Sequence, residues 1–104
     1  MTAAPSTAVI TIAGVDVDGK HVTVAGYITE LQESGGECAY TLTPVLSGTS
    51  VTATNPGIEN VGTVSCGSVQ VPIEQLSKGP WTVSLSYRSS TLEVNATPVE
   101  MEVP

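Results

Sequence analysis

Phenylalanine is absent from this 104-residue chain, and positive charge nearly so. Lys20, Lys78 and Arg88 are the fixed cations, three against ten Asp and Glu, for a formal net charge of −7. Binding DNA or RNA requires Lys and Arg to displace counterions condensed on phosphates, and three scattered cations cannot do so. The same shortage argues against adsorption to an anionic membrane surface. No apolar run approaches the roughly 20 residues that span a bilayer. Met1 to Ser6 is polar and lacks the apolar stretch of a signal peptide, a start expected just after a removed leader or at a domain boundary. The acidity is expected to serve solubility and self-repulsion, which predicts a monomer.

Histidine is limited to His21, and cysteine to Cys38 and Cys66. A structural zinc takes three or four ligands, so two cysteines and one distant histidine predict no metal centre, and no cofactor is expected. Two cysteines in strand-like segments of a Ser/Thr-rich, lysine-poor chain predict one Cys38–Cys66 disulfide in an oxidising compartment, against the alternative of two buried thiols. The expected localisation is therefore extracytoplasmic, secreted or on a cell surface.

What the chain does contain is Val and Thr in quantity. Residues branched at Cβ fit a pleated, half-buried surface better than a helix. The length suits one domain with a single core, which buries roughly two-thirds of its unfolded surface. Residues 1–7 read as a flexible lead-in and residues 8–104 as the domain.

Strand signals follow one another along it. Ala8 to Val15 carries Ile10 and Ile12 on one face. Asp18-Gly19 then predicts a tight hairpin with both central residues at positive φ. His21 to Ile28 returns, with Val22, Val24 and Ile28 on one face and His21, Thr23 and Tyr27 on the other. After the polar stretch Glu30–Glu37, a third strand alternates Cys38, Tyr40 and Leu42 against Ala39, Thr41 and Thr43, and Pro44 ends it. Ser47-Gly48-Thr49 predicts a turn, Ser50 to Thr54 a short fourth strand, and Asn55-Pro56-Gly57 another turn. Thr63 to Val71 is the fifth. Its alternation slips at Gly67, from the phase of Val64 and Cys66 to that of Val69 and Val71, which predicts a β-bulge. Pro72 to Leu76 is a crossing segment with one helical turn. Trp81, Val83, Leu85 and Tyr87 alternate with Thr82, Ser84, Ser86 and Arg88, so one face is core and the other wet. Ser89 to Asn95 reads as a loop or ragged strand, and Val99, Met101 and Val103 alternate with Glu100 and Glu102 in the last strand. The count is about seven strands with turn signals roughly every 8–12 residues, the pattern of an all-β sandwich.

The segment Val71–Tyr87, VPIEQLSKGPWTVSLSY, resembles the crossing and sixth strand of immunoglobulin-like and fibronectin type III-like modules of bacterial secreted and surface proteins. Leu76, Gly79-Pro80 and Trp81 fill the places of the leucine, the short Pro/Gly turn and the aromatic that leads the strand. The resemblance implies an immunoglobulin-like β-sandwich acting without catalysis, as a spacer or a protein-interaction domain. The cysteines, on the third and fifth strands of this count, and Trp81, opening the sixth, depart from the vertebrate antibody pattern. The acidic antibiotic-carrying chromoproteins share the architecture but carry two disulfides at other spacings.

Candidate sites are few. His21 with Asp16 or Asp18 could form an acid–base contact, but an exposed histidine at a strand end is the expectation. Asp16-Val17-Asp18-Gly19 suggests calcium, yet the twelfth position counted from Asp16 is Tyr27 rather than the bidentate Glu of an EF-hand. A looser calcium site would need a distant Glu. Glu100 and Glu102 share a strand face like paired glycosidase carboxylates, and a solvated edge is expected instead. Trp81 and Tyr27, if exposed, would stack on sugar rings, which gives the alternative function, an accessory carbohydrate- or cell-wall-binding domain. Asn95-Ala96-Thr97 fits the N-glycosylation pattern.

Overall fold

The computed structural model describes residues 6–46 and 48–104. Residues 1–5 of the expected lead-in, and Ser47 of the expected Ser47-Gly48-Thr49 turn, lie outside the described residues. The described residues form a two-sheet β-sandwich of nine strands: β1 (Thr7–Val15), β2 (His21–Thr29), β3 (Glu37–Pro44), β4 (Val51–Pro56), β5 (Ile58–Asn60), β6 (Thr63–Pro72), β7 (Gly79–Arg88), β8 (Glu93–Asn95) and β9 (Val99–Val103). One sheet has the order β1-β2-β6-β5. The other runs β4-β3-β7, with β8 and β9 following one another along the free side of β7. All pairings are antiparallel.

Alternation places the core as the sequence predicts. Val22, Val24 and Ile28 of β2 are buried against Cys38, Tyr40 and Leu42 of β3 and Trp81, Val83, Leu85 and Tyr87 of β7. Period-two burial on both sheets makes the inner faces one apolar layer, whose removal from water drives folding. The sheets are joined covalently. Cys38 of β3 and Cys66 of β6 form a disulfide with a Cα–Cα distance of 5.6 Å, and both residues are wholly buried.

The phase slip at Gly67 is a bulge. Ala25 pairs Ser68 and Tyr27 pairs Ser65, so β6 carries one extra residue there, and Gly67 takes the positive φ of 63° that the bend requires. Two side chains of the opposite sheet hold the bulge. The Tyr40 hydroxyl donates to the Gly67 carbonyl at 2.8 Å, and the Asn55 amide donates to the Cys66 and Ser68 carbonyls at 3.1 and 3.2 Å.

Several expectations are corrected. β1 has its own bulge at Thr11, so Ile10 and Ile12 do not share a face: Ile10, Ala13 and Val15 pack on the core while Ile12 stays 51% exposed. In the first hairpin only Gly19 has positive φ, at 69°; Gly19 N–H donates to the Asp16 carbonyl, closing a longer turn than Asp-Gly alone predicts. Asn55 and Pro56 belong to a strand rather than a turn, because β4 pairs β3 through Pro56, at a position where the edge needs no donor. One short strand was not expected, β5, and the ragged strand within Ser89 to Asn95 is the three-residue β8. The helical turn after Pro72 is a single 3-10 turn, Ile73–Gln75.

Candidate interaction surface

The strand registers define two poles on a molecule 47 Å long. One pole holds the β1–β2 hairpin, the end of β3 after Pro44 and the end of β9, where Val103 pairs Gly79. The other holds the loops 30–36 and 89–92, which leave β2 and β7, and the short strand β5 that follows β4.

At the second pole the loops are tied together from beneath. Tyr87, the last inner residue of β7, is buried, and its hydroxyl donates to Glu33 of the 30–36 loop. The other Glu33 oxygen accepts from the Thr91 hydroxyl at 2.8 Å. Donors from Tyr87 first, then Ser89 and Thr91, hold the Glu33 carboxyl below its usual range, since each favours the anion. Burial, then the Glu33 carboxylate, pushes the Tyr87 phenol up to about 12. Burial likewise raises Tyr40 to about 12.

Two glycines let the chain lie directly on the Tyr87 ring. A Cβ at Gly36 would collide with the Tyr87 ring and hydroxyl, and one at Gly57 would come within 2.8 Å of Val64 and 3.0 Å of Tyr87. Gly57 N–H donates to the Gly36 carbonyl at 2.9 Å, closing the clasp. Outside it lies an open cleft of about 350 Å³ between Gly35–Glu37 and Thr54–Gly57.

Trp81, the first stacking candidate, is 1% exposed, and its indole N–H donates to the Ser77 carbonyl at 2.8 Å. It therefore presents no face to a sugar, a correction to the stacking candidate that follows from its inward phase on β7. Tyr27 is half-buried on the outer face of the other sheet, between Val9 and Ser65 in register. The two aromatics share no surface.

His21, Asp16 and Asp18 do meet. Their ligand atoms lie within 4.8 Å of one another, and His21 Nδ1 is 3.7 Å from an Asp18 oxygen. Their bonds serve the hairpin. Asp16 accepts from the Thr23 hydroxyl at 2.6 Å, and Asp18 from the Lys20 N–H at 2.8 Å. No distant Glu belongs to this group. Glu100 and Glu102 are exposed on β9, opposite Thr82 and Pro80. Asn95 and Thr97 are also exposed, where β8 ends. Sequence reasoning missed Glu33: it lies in a polar loop with no periodicity, and the residue it serves is 54 positions away.

Apart from Ile12 on β1, the exposed large apolar side chains among the described residues gather at the poles. Val17, Val45 and Leu46 crown the hairpin end, and Ile58 and Val61 the loop end. Among the described residues no helix is long and apolar enough to cross a membrane.

The class of molecule is thus a small antiparallel β-sandwich whose two sheets are cross-linked by one buried disulfide. Comparison with family models, curated proteins and solved structures finds no match in any of the three.

Proposed function

We propose that this chain is a non-catalytic, immunoglobulin-like module of an extracytoplasmic protein, acting as a spacer or protein-interaction domain. The observation that carries the reading is the strand order. The sheet β1-β2-β6-β5 facing β4-β3-β7-β8/β9 corresponds to the A-B-E-D and C-F-G arrangement of immunoglobulin-type sandwiches, with β4 as an added edge. The disulfide supports an oxidising compartment, secreted or at a cell surface. The bacterial assignment rests on the resemblance of the Val71–Tyr87 segment alone. The spacer role is supported by geometry, because β1 begins at one pole and β9 ends at the other of a 47 Å body. Loops tied to a rigid scaffold suit recognition of a partner.

The alternative, an accessory carbohydrate- or cell-wall-binding domain, loses its best platform with the burial of Trp81. Co-sedimentation of the purified domain with insoluble polysaccharides and cell-wall preparations separates the two. The module reading expects no saturable binding. Saturable binding lost in a Tyr27→Ala variant would replace it with the carbohydrate-binding one.

A further inference from the structure

Among the described residues four strand edges bound the two sheets, and three are blunted against pairing. β1 carries the Thr11 bulge and lies beside β7, β8 and β9. β5 is three residues long. The β8–β9 edge is interrupted between Asn95 and Val99 and presents Glu93, Glu100 and Glu102 to solvent. Short length, bulges and edge charges are the ordinary defences of an exposed strand.

β4 carries neither a bulge nor an edge charge, although it too lies beside a strand of the opposite sheet, β6. It runs six residues without a charged side chain or a register shift against β3, with proline only at its end. Its inner row is also incompletely covered. Val51, Ala53 and Asn55 are half-buried, whereas Cys38, Tyr40 and Leu42, the same row on β3, are fully buried.

We propose that β4 is a pairing edge for a second copy of this chain, joined antiparallel about Ala53. In that register Thr52 faces the partner's Thr54, and Val51 faces the partner's Asn55. Residues of equal phase oppose one another, so inner rows meet inner rows and the two sheets become one. The arrangement is two-fold and self-complementary, as closed dimers require. It opposes no like charges, whereas the same pairing through β9 would set Glu100 and Glu102 against themselves. The second copy would also cover Val51 and Ala53. Two six-residue strands bury less than the roughly 1,000 Å² of a stable interface, so the contact is weak. Each copy carries −7, and that repulsion is long-ranged and removed by salt. The pairing stands independently of the module reading.

Sedimentation equilibrium up to about 1 mM protein, in salt from about 0.01 M to about 1 M, tests it. A monomer at low salt and a monomer–dimer equilibrium at high salt are expected. The pair Thr52→Lys with Thr54→Lys should weaken the dimer at least tenfold, although its two added positive charges bring −7 to −5. The pair Thr52→Lys with Thr54→Glu should restore it, because each introduced lysine then faces an introduced glutamate across the two-fold. Both positions are exposed, so circular dichroism and thermal melting should show every variant folded. The proposal is overturned by a monomer at every salt concentration, by a dimer insensitive to the double-lysine change, or by failure of the charge-paired variant to recover.

Discussion

Tyr87 is the side chain on which the loop pole rests. Its ring fills the space beneath Gly36 and Gly57, and its hydroxyl meets a carboxylate that Thr91 also holds. Close packing on a buried ring tolerates no added methyl group, so Gly36→Ala is expected to cost about 2–3 kcal/mol. Urea denaturation measures this, and an unchanged midpoint would show that the ring can move aside. Glu33 supplies a pH dependence. Its carboxyl is held below the ordinary range in the folded chain, so its contribution is present above the unfolded value. That contribution is lost as pH falls through the depressed one. Acid titration of stability should therefore be flatter in Glu33→Gln than in the parent chain, with the two curves converging at low pH. Equal slopes would remove Glu33 from the acid response.

Elements in this fold are held by different means, and that decides how well each shows in the sequence. β2, β3 and β7 alternate strictly because one face is core and the other wet, so their residues and faces are legible. The β6 bulge is legible too, since a glycine sits where the alternation slips. β5 has no apolar row: Ile58, Glu59 and Asn60 are all exposed, and the strand exists because β6 offers it a backbone edge. Asn55-Pro56-Gly57 carries a turn signature, but Asn55 is spent on the Cys66 and Ser68 carbonyls of the opposite sheet. Contacts between distant residues leave no local pattern, and the Glu33–Tyr87 pair was hidden for the same reason. Of the candidate site residues, the Cys38–Cys66 pairing was legible, and so were the inward phase of Trp81 and the outward phase of Tyr27, each of which follows from strand alternation. At this scale the disulfide is expected to contribute about 3.5 kcal/mol through the 28-residue separation it closes. Reduction should lower the urea midpoint by a corresponding amount while far-UV circular dichroism in water stays β. A midpoint indifferent to reduction would mean that packing alone holds the sheets.

The whole molecule is a rod in outline, 47 × 24 × 19 Å, with apolar side chains exposed at both ends and Glu30, Glu33, Glu37, Glu59 and Glu93 gathered towards the loop pole. Arg88 in that region is committed to Glu93, through two bonds of 2.9 and 2.6 Å. The loop pole is therefore an acidic surface with an apolar fringe, whereas at the hairpin pole Lys20 and Lys78 stand among Asp16, Asp18 and Glu102.

The disulfide also sets how far the chain can be stretched. Cys38 and Cys66 hold their Cα atoms 5.6 Å apart across a separation of 28 residues. Pulled from its two ends, an unfolding oxidised molecule cannot release the loop between them, whose extended length is about 90 Å. Single-molecule force spectroscopy should thus record a contour-length gain about 90 Å shorter for the oxidised chain than for the reduced one. Equal gains would mean that the bond does not survive the load. The bridge therefore makes the maximum reach of the unfolded chain depend on redox state: shorter in an oxidising medium, longer where thiols are restored.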